Sequence, residues 1–190
     1  SELPKVTFKV VWEKRIGRRN AIYSMAKSGD IIAVGTIKCM ALLNAHTGAI
    51  VTDALKGMHV AVLDKHRIVG VAFNYRTEEW VLNEFTANTL TKEVPMEAKS
   101  ISSVMASANG KQLYVGDRSS KRMLELDTGN YLITARIPLS GKPVGHCHIA
   151  ANGLLAQGIY QRRNNLIDVI ETNTRCIAQT IRTKHTKDIC

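Results

Sequence analysis

Apolar and polar residues alternate in short runs along this chain, and polar turns break the runs too often for long helices to form. The third quarter shows the pattern plainly. Ile101–Ala106, Gln112–Gly116, Arg122–Leu126 and Tyr131–Ile137 read as four β-strands, separated by Asn109-Gly110, Asp117–Ser120 and Asp127-Thr128-Gly129. Each separator is rich in the residues that favour tight turns. His148 to Ile181 repeats the arrangement, with Asn152-Gly153 as its first turn.

Two markers recur along the chain. Polar turns at Asn44–Gly48, Phe85–Thr89, Leu126–Asn130 and Glu171–Thr174 each follow an apolar run and precede a short β-prone one. Aligning His46, Ala87, Asp127 and Thr172 gives spacings of 41, 40 and 45. Gly35, Gly70, Gly116 and Gly158 keep nearly the same period, each inside or just after an apolar run. A glycine at an equivalent place in every unit suggests close backbone approach near a common axis. Four strands every ~40 to 45 residues is the period of a propeller blade. The expected fold is therefore all-β: a β-propeller or partial propeller of four four-stranded antiparallel blades, at about residues 20–54, 57–96, 99–139 and 142–183 of a single domain. Residues 5–12 alternate as an extra strand that closes or caps a sheet edge.

Gly110–Asp117 followed by Met123–Gly129 resembles a blade of the WD40-like and YVTN-like β-propeller superfamily, and Thr174–Ile181 is similar to the outer strand of a WD40 blade. The resemblance covers about residues 20 to 183. It is a divergent one: the Trp-Asp places hold Leu43-Asn44, Glu84-Phe85, Glu125-Leu126 and Val169-Ile170, and a glycine-histidine pair occurs once, as Gly145-His146. The resemblance implies closure with more than four blades. The chain is then a segment of a longer propeller, a partial propeller completed by a second copy or a partner chain, or a self-sufficient ring.

Charge changes the picture once the loops are sorted. Lys and Arg number 26 against 16 Asp and Glu, a formal net charge of +10. In a blade, the connections between blades and those between second and third strands share one face. That face receives Lys14, Arg15, Arg18, Arg19, Lys38, Lys56, Arg76, Lys99, Arg118, Lys121, Arg122, Lys142, Arg162 and Arg163, against Glu13, Glu78, Glu79, Glu97 and Asp117. A concentrated positive surface attracts carboxylates and phosphates, and arginine suits their planar geometry. The expected function is a non-catalytic scaffold that binds an acidic or phosphorylated protein segment through Arg18, Arg19, Arg76, Arg118, Arg122, Arg162 and Arg163. The alternative is an RNA- or DNA-binding propeller using the same loops, although only Tyr75 and Tyr160 are placed near that face for stacking.

Other chemistry is sparse. His146-Cys147-His148 is the one dense group of metal-capable side chains, and strand alternation puts His146 and His148 on one side. A metal-dependent enzyme centred on them lacks an obvious third ligand; Asp168 and His185 are conceivable. No phosphate cradle, nucleophile elbow or dinucleotide fingerprint is present, so no cofactor is expected. Cys39, Cys147, Cys176 and Cys190 form no C-x-x-C pair and read as thiols of a reducing compartment, cytoplasmic or nuclear. No apolar run approaches the length of a membrane helix. The methionines read mostly as core, and Trp12 and Trp80 as packed anchors.

Overall fold

The computed structural model describes residues 12–14, 16, 21–161 and 164–183, and among these every regular element is a β-strand. The first sheet holds β1 (Ile22–Ser28), β2 (Ile31–Thr36), β3 (Met40–Asn44) and β4 (Ile50–Leu55). The second holds β5 (His59–Val62), β6 (Arg67–Asn74), β7 (Glu79–Thr86) and β8 (Thr89–Pro95). The third holds β9 (Ile101–Ala106), β10 (Gln112–Asp117), β11 (Arg122–Asp127) and β12 (Ile133–Pro138). The fourth holds β13 (Lys142–Ile149), β14 (Leu154–Gln161), β15 (Asn164–Glu171) and β16 (Cys176–Arg182). Each sheet is an antiparallel meander in chain order.

The four sheets are the blades of a β-propeller. Their first strands lie innermost: β1 packs on β5, β5 on β9 and β9 on β13. The middle strands are buried on both faces, which is why Ala41-Leu42-Leu43 and Val69-Gly70-Val71 read as unbroken apolar runs. The last strands are outermost and mostly exposed, as at β8 and β16. Two of the turns before such strands, those leading to β4 and β12, are built by Asx side chains. Asn44 Oδ1 accepts the amides of His46 and Thr47, and Asp127 Oδ1 those of Gly129 and Asn130. The periodic glycines answer to crowding. A Cβ at Gly35 would run into the carbonyl of Met58, and one at Gly70 into that of Lys56.

Apolar seams join consecutive blades. Met40 and Leu42 face Val60, Ile68 and Phe85 across the first seam. Val69, Val71 and Leu82 face Leu113, Val115 and Leu124 across the second. Tyr114, Met123 and Ile137 face Leu155, Ile159 and Ile170 across the third. Polar groups cross these seams too. Glu84, nearly buried, accepts hydrogen bonds from Arg67 at 3.1 Å and from the Tyr131 hydroxyl, and Arg175 reaches Glu125 at 2.9 Å. Burial pushes the Glu84 carboxyl up, but the bonds from Arg67 and Tyr131 outweigh it and hold the acid below its usual range. Between the fourth blade and the first lies a cleft of about 710 Å³, walled by Ile22, Tyr23 and Met25 on one side and Cys147, Ala156 and Gly158 on the other.

Two expectations need correcting. Met25 is 67% exposed on that cleft rather than core, while Met40, Met96 and Met123 are buried. Lys14 does not sit on the face assigned to it. The indole of Trp12 donates to the carbonyl of Ala45 at 3.0 Å, in a turn on the opposite face, and Lys14 borders a hollow with Lys27 and Ile32 on the flank of the first blade. Of the extra strand expected over 5–12, only Trp12 falls among the described residues.

Candidate ligand-binding face

Antiparallel meanders return to the same end after every second strand, so the β2–β3, β6–β7 and β10–β11 connections gather with the links between blades. Each loop has its own brace. The Thr36 hydroxyl donates to the carbonyl of Cys39 and accepts the amide of Lys38, which sets Lys38 at the loop tip. Asn74 Oδ1 accepts the amide of Arg76 at 3.0 Å. The amide of Arg118 donates to the carbonyl of Ser100 at 2.7 Å, tying a loop of the third blade to the link before it.

Lys38, Arg76 and Arg118 are exposed, and among the described residues no carboxylate forms an ion pair with any of them. Lys99, Lys121 and Lys142 stand exposed on the same side. Arg122 is different. Its guanidinium lies 3.2 Å from Asp117 and 2.8 Å from Glu97, and Glu97 is also gripped by Arg136. Arg136 and then Arg122 hold the Glu97 carboxyl below its usual range. Arg122 thus serves a local ion-pair network. Arg18, Arg19, Arg162 and Arg163 lie outside the described residues.

The face is not flat. A hollow of about 570 Å³ opens between the first and second blades, with Lys38, Lys56 and Arg76 at its rim and Asn83 in its wall. A second, of about 460 Å³, lies at the axial mouth between Tyr23, His59, Trp80 and Arg118. The two meet at Met58, Phe73 and Tyr75. Rings run along this junction. Tyr23 lies 6.4 Å from His59, His59 5.9 Å from Trp80, Trp80 5.5 Å from Phe73, and Phe73 5.1 Å from Tyr75. Burial pulls the His59 imidazole down to about 4, against the opposing pull of a backbone hydrogen bond at Ile101. Among the described residues, His59 Nδ1 and Asn83 Oδ1 are the two buried side-chain polar atoms without a partner.

Sequence reasoning missed this aromatic row. The available signal was the β6–β7 hairpin, whose register sets Phe73 opposite Trp80 just below the turn that carries Tyr75 and Arg76. It also gave no view of Tyr23 and His59, which belong to different blades.

The His146-Cys147-His148 segment shows less. Cys147 and His148 both border the cleft between the fourth and first blades, next to a register shift in β13, and the side chain of His146 is outside the described set. Burial drives the Cys147 thiol up to about 12, so it is not a thiolate at neutral pH. Asp168 is occupied by Ser140 and Thr180, and His185 lies outside the described residues. No three metal-capable side chains converge among the described residues.

Solved structures share this architecture. The chain is similar to Kuenenia stuttgartiensis hydrazine synthase at a TM-score of 0.69 and 14% identity, over 85% of this chain and 49% of that one. It is similar to the Myceliophteria thermophila Cps50 (Swd1) β-propeller domain at 0.60 and 15%, over 78% and 52%. It is similar to a chain of the mitotic checkpoint complex at 0.64 and 12%, over 87% and 52%. The fold is a four-bladed β-propeller. No protein-family profile and no curated protein matches the sequence. At these identities the likeness speaks for the fold alone. The propeller spans about half the length of the solved chains it matches.

Proposed function

We propose that this propeller is a non-catalytic interaction scaffold that docks an acidic or phosphorylated segment of a protein partner on its basic loop face. The likeness to a propeller chain of the mitotic checkpoint complex supports a scaffold role in general. The observation that carries the finer reading is the set of exposed cations, Lys38, Arg76 and Arg118, held on braced loops beside two adjoining hollows with no carboxylate paired to them among the described residues. Rigid loops lose little freedom when a ligand orders on them. Arg18, Arg19, Arg162 and Arg163 extend the same basic surface in this reading. The test is a triple charge reversal, Lys38→Glu, Arg76→Glu and Arg118→Glu. Partner capture should fall at least about tenfold, with steep salt dependence in the native protein and an unchanged melting temperature. Capture that survives the reversal refutes the basic face.

A second reading concerns assembly. The exposed Ile22, Tyr23 and Met25 beside the open cleft favour pairing of two copies, the first blade of each seated against the fourth blade of the other. Two copies would supply the length seen in the matched chains. Light scattering at twice the monomer mass supports this; a monomer mass at all concentrations overturns it.

A further inference from the structure

We propose that the hollow between the first and second blades binds a nucleotide, free or as one unit of a single strand, with its base against Tyr75 and Asn83 and its phosphate on Lys38, Lys56 and Arg76. The volume of about 570 Å³ lies in the range of sites for small organic ligands. Three features of different kind coincide there.

The first is an orphaned acceptor. Asn83 is 1% exposed, and its amide nitrogen faces the carbonyls of Gly70 and Val81, each at 3.4 Å. That leaves the side-chain oxygen, buried and without a donor, as the free end of a residue that lines the hollow. A buried polar atom left unpaired is costly, so a ligand bringing an N–H gains there. Each of the four common bases carries at least one N–H on its pairing edge, and asparagine is a regular partner of base edges. His59 Nδ1 supplies a second unpaired nitrogen in the adjoining mouth.

The second is a stacking surface. Tyr75 is 73% exposed, and Phe73 meets it edge to face at 81°, which steadies the ring while leaving a face open. The third is charge. Lys38 and Arg76 are unpaired among the described residues, and Lys56 makes only a loose, solvent-exposed contact with Glu93, the one carboxylate in the lining, at 3.9 Å. An acidic peptide answers the cations but offers no ring to Tyr75. A nucleotide answers all three. The inference goes beyond the protein-docking reading and does not depend on it.

The test uses the full chain and fluorescein-labelled U10 and A10 oligoribonucleotides, with a labelled ten-residue polyglutamate as the charge control, read by anisotropy at about 50 and about 200 mM salt. AMP and UMP serve as competitors. The oligonucleotides should bind, more weakly at the higher salt. Tyr75→Ala should weaken them about tenfold and Asn83→Leu about fivefold, while polyglutamate binding stays unchanged in both variants. Asn83→Leu removes the unpaired acceptor together with the long amide contacts to Gly70 and Val81, so its melting temperature is measured alongside; Tyr75→Ala alters only an exposed turn and covers the case in which the leucine disturbs packing. Competition by AMP or UMP at comparable concentration assigns the site to free nucleotides, and competition by oligonucleotides alone assigns it to single strands. Absence of oligonucleotide binding overturns the proposal. So does binding that neither variant weakens, or a loss shared equally by polyglutamate.

Discussion

Between the second and third blades, Val69, Val71, Leu82, Leu113, Val115 and Leu124 are withdrawn from water entirely; between the fourth and the first, Ile22, Tyr23 and Met25 stand 55%, 45% and 67% exposed beside an open cleft. One repeat unit produced both arrangements. The difference lies in what each blade presents to the next. The closed seam is filled by branched aliphatics and crossed by Arg67, Glu84 and Tyr131, whereas the cleft wall on the fourth blade is built from small residues such as Gly145, Ala156 and Gly158. Stability in such an array is a sum over neighbouring units, so closure of one seam does not enforce closure of another.

The comparison can be broken most severely at the closed seam. Val115→Asp places a charge where exposure is 0%, and should cost more than about 4 kcal/mol, enough to abolish cooperative melting followed by circular dichroism. A soluble variant melting normally would remove β10 from the seam.

Next in size is a pH effect at the axis, where the first three blades converge on His59. Its folded-state value of about 4 lies below the ordinary 6.5, so the unfolded chain takes up a proton that the folded one refuses. Stability is full above the unfolded value, falls as pH drops from about 6.5 towards 4, and loses on the order of 3 kcal/mol in all. Denaturant titrations across that window should show the slope in the native protein and not in His59→Gln.

Glu84→Gln should cost about 2 kcal/mol at neutral pH, because the charge that Arg67 and Tyr131 serve is gone. The acid's value is held low in the folded state, so its contribution is present above the unfolded range near 4 and disappears as pH falls through the folded value. The penalty of the variant should therefore shrink in acid; a penalty independent of pH would show that packing, not charge, is at stake.

The smallest effect belongs to the open side. Met25→Ser should change the stability of the monomer by less than about 0.5 kcal/mol, since the side chain is mostly in water already. A large loss at concentrations where the chain is monomeric would mean that the cleft closes in solution.

The blades themselves were legible because their cues are local. An Asx turn needs residues two or three apart, as at Asn44 and Asp127, and the segment linking the first two blades crowds both Gly35, through Met58, and Gly70, through Lys56. The aromatic row and the Glu84–Tyr131 contact were hidden for the opposite reason. Tyr23 and His59, or Glu84 and Tyr131, meet only once separate blades dock, and no spacing within one blade announces them. Arg122 shows the limit of sorting by loop: its position near the basic face was readable, but its engagement by Asp117 and Glu97 depends on side-chain reach.

Ser24 receives the amide of Val60, Arg67 grasps the carbonyl of Thr128, and Arg175 holds Glu125, so each fastening joins a unit to its immediate successor. A molecule tethered by its two ends and stretched would accordingly shed its outer units first, in a staircase of extension steps, and the dry junction at the middle would be the last to tear.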